Sequence, residues 1–249
     1  MRRTGLLISC EHAVRDVPAA YAAAFVGARA VLDSHRGWDP GAWELARQMA
    51  HTLGVPMHAG AATRLLIDLN RSIGHPQLYS EFTRGLPRAE RHAIVQQHYA
   101  PYRDAVERDV AQRIARGEHV IHIASHSFTP VWHGVTRRAD VAWLYDPRRG
   151  PEVQLAKRWM AQLARRDPGL QLRRNYPYQG RSDGLESSLR KRYAPQDYLG
   201  IELEVNQCWV AQGGTAWSRL RTDLVDALAD ALAQRTAGPP GADPHATAA

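Results

Sequence analysis

The sequence predicts an α/β protein, a three-layer sandwich in which a mixed, mostly parallel sheet is flanked by helices. Three observations predict it. Short apolar runs alternate with amphipathic stretches along most of the chain. Several of the runs are continuous, as in strands covered on both faces. The amphipathic stretches carry their own start and stop signals.

Strands are expected at 6–10, 55–59, 64–69, 119–125, 141–145 and 200–205. Between them lie four helical stretches. "WDPGAWELARQMAHTLG" offers Asp39 as an N-cap, Pro40 at the first helical position and Gly54 as a stop. Residues 88–116 read as one long helical stretch, interrupted near Pro101. "GPEVQLAKRWMAQLARRDPG" has clear ends, and 214–235 gives a final amphipathic helix. The tail "TAGPPGADPHATAA" lacks periodicity and is rich in Pro, Gly and Ala, so disorder is expected there. The domain expectation is therefore one catalytic unit over 1–235 and a tail over 236–249.

A chain of 249 residues can bury a substantial core without covalent staples. Its two cysteines, Cys10 and Cys208, are far apart and form no metal-type pair, as in a reducing compartment. The start, "MRRTGLLISCEHA", has too short an apolar part for a signal peptide, and no stretch approaches membrane-spanning length. A soluble, cytoplasmic protein is expected, with no membrane partner. The formal net charge of +7 is spread along the chain without an aromatic-interleaved basic run. That pattern fits a solvated Arg-rich surface better than a nucleic-acid interface.

Open α/β sheets place ligands beyond the carboxyl ends of their strands. Four predicted strand ends are polar. The first delivers Glu11 and His12; "TRLLIDLNRS" ends in Asp68, Asn70 and Arg71; "HVIHIASHSFTP" ends in His126 and Ser127; "LGIELEVNQ" carries Glu202 and Glu204. An imidazole after an apolar strand is a good metal ligand, because it offers a lone pair from a rigid platform. His12 and His126 both stand so. Asp39 is either an ordinary N-cap or a third ligand; three N/O donors and a water make a catalytic zinc set. Glu202 and Glu204, two apart, share one face of a strand. Either could serve as a general base for a metal hydrolase, or pair with an arginine. Arg71 and Asn70 suit a carboxylate, and Arg64 suits a carbonyl or an oxyanion. The turn-rich "NYPYQGRSDG" reads as a loop able to cover a site, with Tyr178 and Arg181 as its reaching side chains.

Taken in order, "SCEHA", "HRGWDPGA", "TRLLIDLNR", "YAPYRDAV", "ASHSFTP", "NYPYQG" and "IELEVNQ" resemble the N-formylglutamate amidohydrolase family over about 6–207. That family looks related to the zinc carboxypeptidases and aspartoacylases. The resemblance implies their phosphorylase/hydrolase-like sheet and a single Zn²⁺, for which Co²⁺ or Mn²⁺ could substitute. It implies His12 and His126 as ligands. In the wider clan a Glu follows the first His by three residues; here that position is Arg15, and the resemblance is repaired by taking Asp39, with His35 as a supporting partner. It further implies Asn70 and Arg71 on the substrate carboxylate, Arg64 on the carbonyl, Glu204 rather than Glu202 as general base, and Tyr178 closing over substrate. Glu11 is then a supporting acid. The implied reaction is hydrolysis of a small anionic N-acyl amino acid such as N-formyl-L-glutamate. A catalytically inactive metabolite-binding relative, or a hydrolase of small peptides, would retain much of the same set.

Overall fold

The computed structural model describes residues 2–234, and the tail expected over 236–249 lies outside them. The strands are β1 (Thr4–Cys10), β2 (Met57–Ala59), β3 (His119–Phe128), β4 (Val131–Trp132), β5 (Val135–Thr136), β6 (Val141–Leu144), β7 (Leu172–Arg174) and β8 (Tyr198–Asn206). The α-helices are α1 (Arg29–Leu32), α2 (Ala42–Leu53), α3 (Arg88–Ile94), α4 (Ala100–Ala115), α5 (Gly150–Arg166), α6 (Leu185–Arg192), α7 (Gln207–Gln212) and α8 (Gly214–Ala233). Six strands form one sheet in the order β2-β1-β3-β8-β6-β7. The first four are mutually parallel, and β6 runs antiparallel to β8. The expected mixed, mostly parallel sheet with flanking helices is thus the architecture observed.

The central strands are buried on both faces, which explains their uninterrupted apolar character. One face is dry. Ile121 and Ile123 of β3, Leu199, Ile201, Leu203 and Val205 of β8, and Val141 and Trp143 of β6 pack there against α2, α5 and α8. The other face mixes apolar and polar side chains. Leu7, Val120 and Tyr198 meet α4, α6 and the 61–86 segment. His122, His126, Glu202 and Glu204 share the parity of Val120 and Tyr198, so the period of two carries them all to that second face.

Three expectations are corrected. Residues 64–69 form turns, not a strand. Their apolar side chains are buried, but the Leu65 and Leu66 carbonyls accept from the Ser80 and Thr83 hydroxyls, and β2 already pairs with the outer edge of β1. Those carbonyls are satisfied locally, so the segment is not held in a ladder. Asp39 does not cap its helix by its side chain: α2 begins at Ala42 behind Gly41, whose φ of 81° suits glycine. Pro101 does not break the 88–116 stretch. A π-helical turn, Val95–Tyr99, directly precedes it, with the Ala100 N–H bonded to the Val95 carbonyl, and this wider turn accommodates a proline that has no N–H to donate. No helix among the described residues is long and apolar enough to cross a membrane.

The dry face is tied by Trp159 of α5. Its ring stands edge-on to Trp143 at 5.7 Å between centroids, and its indole N–H donates to the Leu224 carbonyl of α8 at 3.0 Å. Trp159→Ala is expected to lower unfolding free energy by about 3–5 kcal/mol. Trp159→Phe, which loses that hydrogen bond and leaves a smaller void, should cost about 1–3 kcal/mol. Urea unfolding followed by circular dichroism checks both values.

Candidate active site

The site is built where β1, β3 and β8 end. The chain leaves β1 through Glu11 and His12, and the Asp39 N–H donates to the His12 carbonyl at 3.0 Å, pinning the 35–41 loop to the strand tip. His126 lies within β3, two residues before its end, rather than beyond it as expected. Glu204 of β8 faces His126 in register.

His12, Asp39 and His126 converge: one ligand atom from each lies within 4.8 Å of the others, and all three residues are buried. His12 Nδ1 is 3.2 Å and His126 Nδ1 2.9 Å from Asp39 Oδ2. The far nitrogens are also engaged. His12 Nε2 donates to Asp68 Oδ1 at 2.7 Å, and His126 Nε2 faces Glu11 Oε2 at 3.0 Å. Each imidazole therefore presents its Nε2 to an acid and its Nδ1 to the common centre. This is how a protein selects the tautomer and ring orientation of a metal-binding histidine. An N–O–N donor set backed by carboxylates fits a divalent ion such as zinc.

Electrostatics sharpen this. Burial opposes ionisation of Asp39, but His12, His126 and Arg64 overcome it and hold its carboxyl well below the usual carboxylate range. Burial opposes a charged His126, yet Asp39 and Glu11 raise its pKa well above the ordinary imidazole value. The centre stabilises positive charge, the property a cation site needs. Asp68 is likewise held ionised, against burial, by Arg64 and His12.

Arg64 spans the two acids, donating from Nη1 to Asp39 Oδ1 at 3.2 Å and from Nη2 to Asp68 Oδ2 at 2.8 Å. Glu204 is different. Burial raises its carboxyl to about 8, and its Oε2 is buried without a hydrogen-bond partner. Neither Glu204 nor Glu202 forms an ion pair among the described residues, so the arginine-paired alternative is not realised. Glu202 instead accepts from Asn70 Nδ2 at 3.4 Å.

Asn70 and Arg71 reach the same region but also serve the framework. Asn70 Oδ1 accepts from the Leu185 N–H at 2.7 Å, at the start of α6, and Arg71 Nη1 donates to the Asp183 carbonyl at 2.7 Å. Arg71 Nε is buried with no protein partner. Tyr178 stands at the rim, 46% exposed. Arg181 is exposed, and no hydrogen bond or ion pair joins it to the cluster among the described residues. Arg15 is also outside it, pairing with Asp33 at 3.1 Å. His35 makes a ring contact with Trp132 at 5.9 Å and no hydrogen bond to the donors. Asp68 and Arg137 were missed as site residues. A buried-looking acid four residues after Arg64 was the available signal for Asp68; Arg137 had none.

A mixed sheet with a His–Asp–His donor set and a lone buried carboxyl at its carboxyl edge defines the class: a hydrolase. The chain belongs to the N-formylglutamate amidohydrolase family, whose model matches residues 4–211. The resemblance carried by the motifs is borne out. A crystal structure of an Agrobacterium tumefaciens gene product is 30% identical, with 93% of this chain and 91% of that one covered and a TM-score of 0.79. The N-formylglutamate amidohydrolase from Ralstonia eutropha JMP134 is 17% identical over 96% of both chains, with a TM-score of 0.70, a likeness of fold. No sequence among curated proteins matches the chain.

Beneath the donor set lies His122, fully buried, with Nε2 2.7 Å from Ser9 Oγ, Nδ1 2.9 Å from the Tyr198 hydroxyl and 3.8 Å from Glu186 Oε1. Glu11, His58, Arg190 and His126 act on it through space. Burial dominates and pushes it down to about 4. An unfolded chain titrates this imidazole near 6.5, so between about 6.5 and about 4 the unfolded state binds more protons. Stability from this group therefore falls as pH drops through that window, by up to ~1.4 kcal/mol per pH unit. His122→Gln should flatten the pH dependence of unfolding free energy there by about one proton, read from denaturant titrations across the range.

Proposed function

We propose that the protein is a metal-dependent amidohydrolase of N-acyl amino acids, with zinc as the resident ion and N-formyl-L-glutamate as substrate. The observation that carries this is the convergence of the His12, Asp39 and His126 donors beside the unpartnered carboxyl of Glu204. A bound zinc ion would lower the pKa of a water and polarise the scissile carbonyl.

The chain supplies the remaining chemistry. Glu204 takes a proton from the attacking water and returns it to the departing amine, yielding formate and glutamate. A cation at the donor set favours its ionised form, which is the form a base requires. Arg64, oriented by Asp39 and Asp68, faces negative charge that develops on the carbonyl oxygen only in the tetrahedral state. Arg71, with Asn70 beside it, holds the α-carboxylate through guanidinium edges that the framework leaves unused. Tyr178 closes the rim.

Three outcomes test this reading. Glu204→Gln should keep wild-type metal content while lowering kcat on the order of a hundredfold or more; wild-type turnover would remove Glu204 from the role. Chelation should abolish release of amine from N-formyl amino acids, and zinc, cobalt or manganese should restore it. Asp68→Asn, which loosens the orientation of His12, should weaken metal binding about 10- to 100-fold in a competition titration with a chromogenic chelator.

A further inference from the structure

Among the arginines of this protein, Arg137 stands out by what it lacks. Its residue is only 9% exposed. Other buried guanidinium groups face acids: Arg103 with Glu107 at 3.9 Å, Arg149 and Arg190 with Glu152 at 3.1 and 2.9 Å. Arg137 has no ion pair among the described residues. Among the described residues its only side-chain hydrogen bonds run from Nη1 to the Thr129 carbonyl and the Tyr178 hydroxyl, at 3.5 and 3.4 Å. A largely buried guanidinium without a counter-charge is costly, and a ligand carboxylate would supply that charge.

Two aromatic rings border this guanidinium. Its centre lies 5.2 Å from the Trp132 ring centroid and 5.4 Å from that of Tyr178. A ring face attracts a cation without consuming its N–H donors. Nε and Nη2, the edge that grips a carboxylate with two bonds, make no hydrogen bond to the described protein. The backbone is fixed too: the Arg137 carbonyl accepts from Asn206 Nδ2 at 3.0 Å, and its N–H donates to the Pro130 carbonyl at 2.8 Å.

The position is adjacent to the chemistry. Asn206 pairs with Phe128 one pleat beyond the His126–Glu204 rung, a step of about 6.6 Å along the strands. Tyr178 lies within electrostatic reach of Arg64, and His35 within reach of both Arg64 and Arg137. Arg71 lies in the loop that carries Asp68 and Asn70, and Asp68 in turn holds His12. Arg71 and Arg137 are thus two cations carried to this region by different segments of the chain.

We propose that Arg137, beside the rings of Trp132 and Tyr178, binds the side-chain carboxylate of an acidic N-acyl amino acid and so sets the preference of the site for dicarboxylates. This rests on the proposed amidohydrolase reading and assigns the role in side-chain selection to Arg137 rather than to the exposed Arg181.

The test pairs binding with turnover. Full-length protein is titrated calorimetrically with L-glutamate and L-glutamine, which differ only in the distal charge. Wild type should favour glutamate at least about tenfold, and Arg137→Met should abolish that preference. Arg137→Lys keeps the charge without the fork and should retain only part of it; it also serves if the methionine variant fails to fold. In turnover, the ratio of kcat/KM for N-formylglutamate over N-formylglutamine should fall on the order of a hundredfold in Arg137→Met. Equal binding of both amino acids by wild type, or a wild-type preference in both variants, overturns the proposal. If metal-loaded wild type cleaves no N-formyl amino acid while the glutamate preference still depends on Arg137, the amidohydrolase reading fails and the carboxylate site stands.

Discussion

Everything at this site depends on one buried carboxylate. Asp39 Oδ2 is shared by His12 Nδ1 and His126 Nδ1, while Oδ1 takes Arg64. An ionised carboxyl buried this deeply would be untenable alone. Three cationic or proton-donating partners make it favourable, and each partner is in turn fixed by a second acid: His12 and Arg64 by Asp68, His126 by Glu11. Charges alternate outward from the centre. Removing any one acid leaves a buried cation or a free-swinging ring, so the arrangement is rigid because it is mutually satisfied.

The sheet divides labour between its faces. Odd positions of β8 are aliphatic and close the dry core, while Tyr198, Glu202 and Glu204 line the other face, with Gly200 between them. That glycine has a local reason: a Cβ there would come within 2.7 Å of the Tyr198 hydroxyl and 2.9 Å of Glu186 Cγ. The small residue lets a helix acid lie close against the strand. Burial raises the Glu186 carboxyl, as it does Glu202 and Glu204, so the second face carries a cluster of acids that hold their protons more readily than in water. Polar groups concentrate on the face that meets the long 61–86 segment and α6, and the hydrophobic work is left to α2, α5 and α8.

The rim follows a related logic with aromatic rings in place of acids. Trp132 and Tyr178 hold Arg137 through ring faces, which stabilise a cation without saturating its hydrogen-bond fork. At the centre, carboxylates anchor what must not move; at the rim, rings hold a group whose N–H edge remains available.

How much of this was legible in the sequence follows from whether the information is local. The central strands were legible because burial on both faces puts apolar residues at both parities, as in "LLI" at Leu6–Ile8. The shared face of Glu202 and Glu204 follows from the strand period alone. His12, Asp39 and His126 were reachable because their motifs, taken in order, resemble a family. Other features were not local. The apolar stretch at 64–69 has strand-like composition, but a strand exists only with a partner, and its carbonyls bond to the Ser80 and Thr83 hydroxyls. Asp68 and Glu11 became supports of His12 and His126 only when chain folding brought residues 56 and 115 positions apart together. Arg137 is one arginine among many until burial removes its solvent and the fold withholds an acid. The sequence by itself determined which side chains can be buried and with what period. Tertiary structure decided which charges meet, because electrostatic partnership depends on distance in space and on the removal of water.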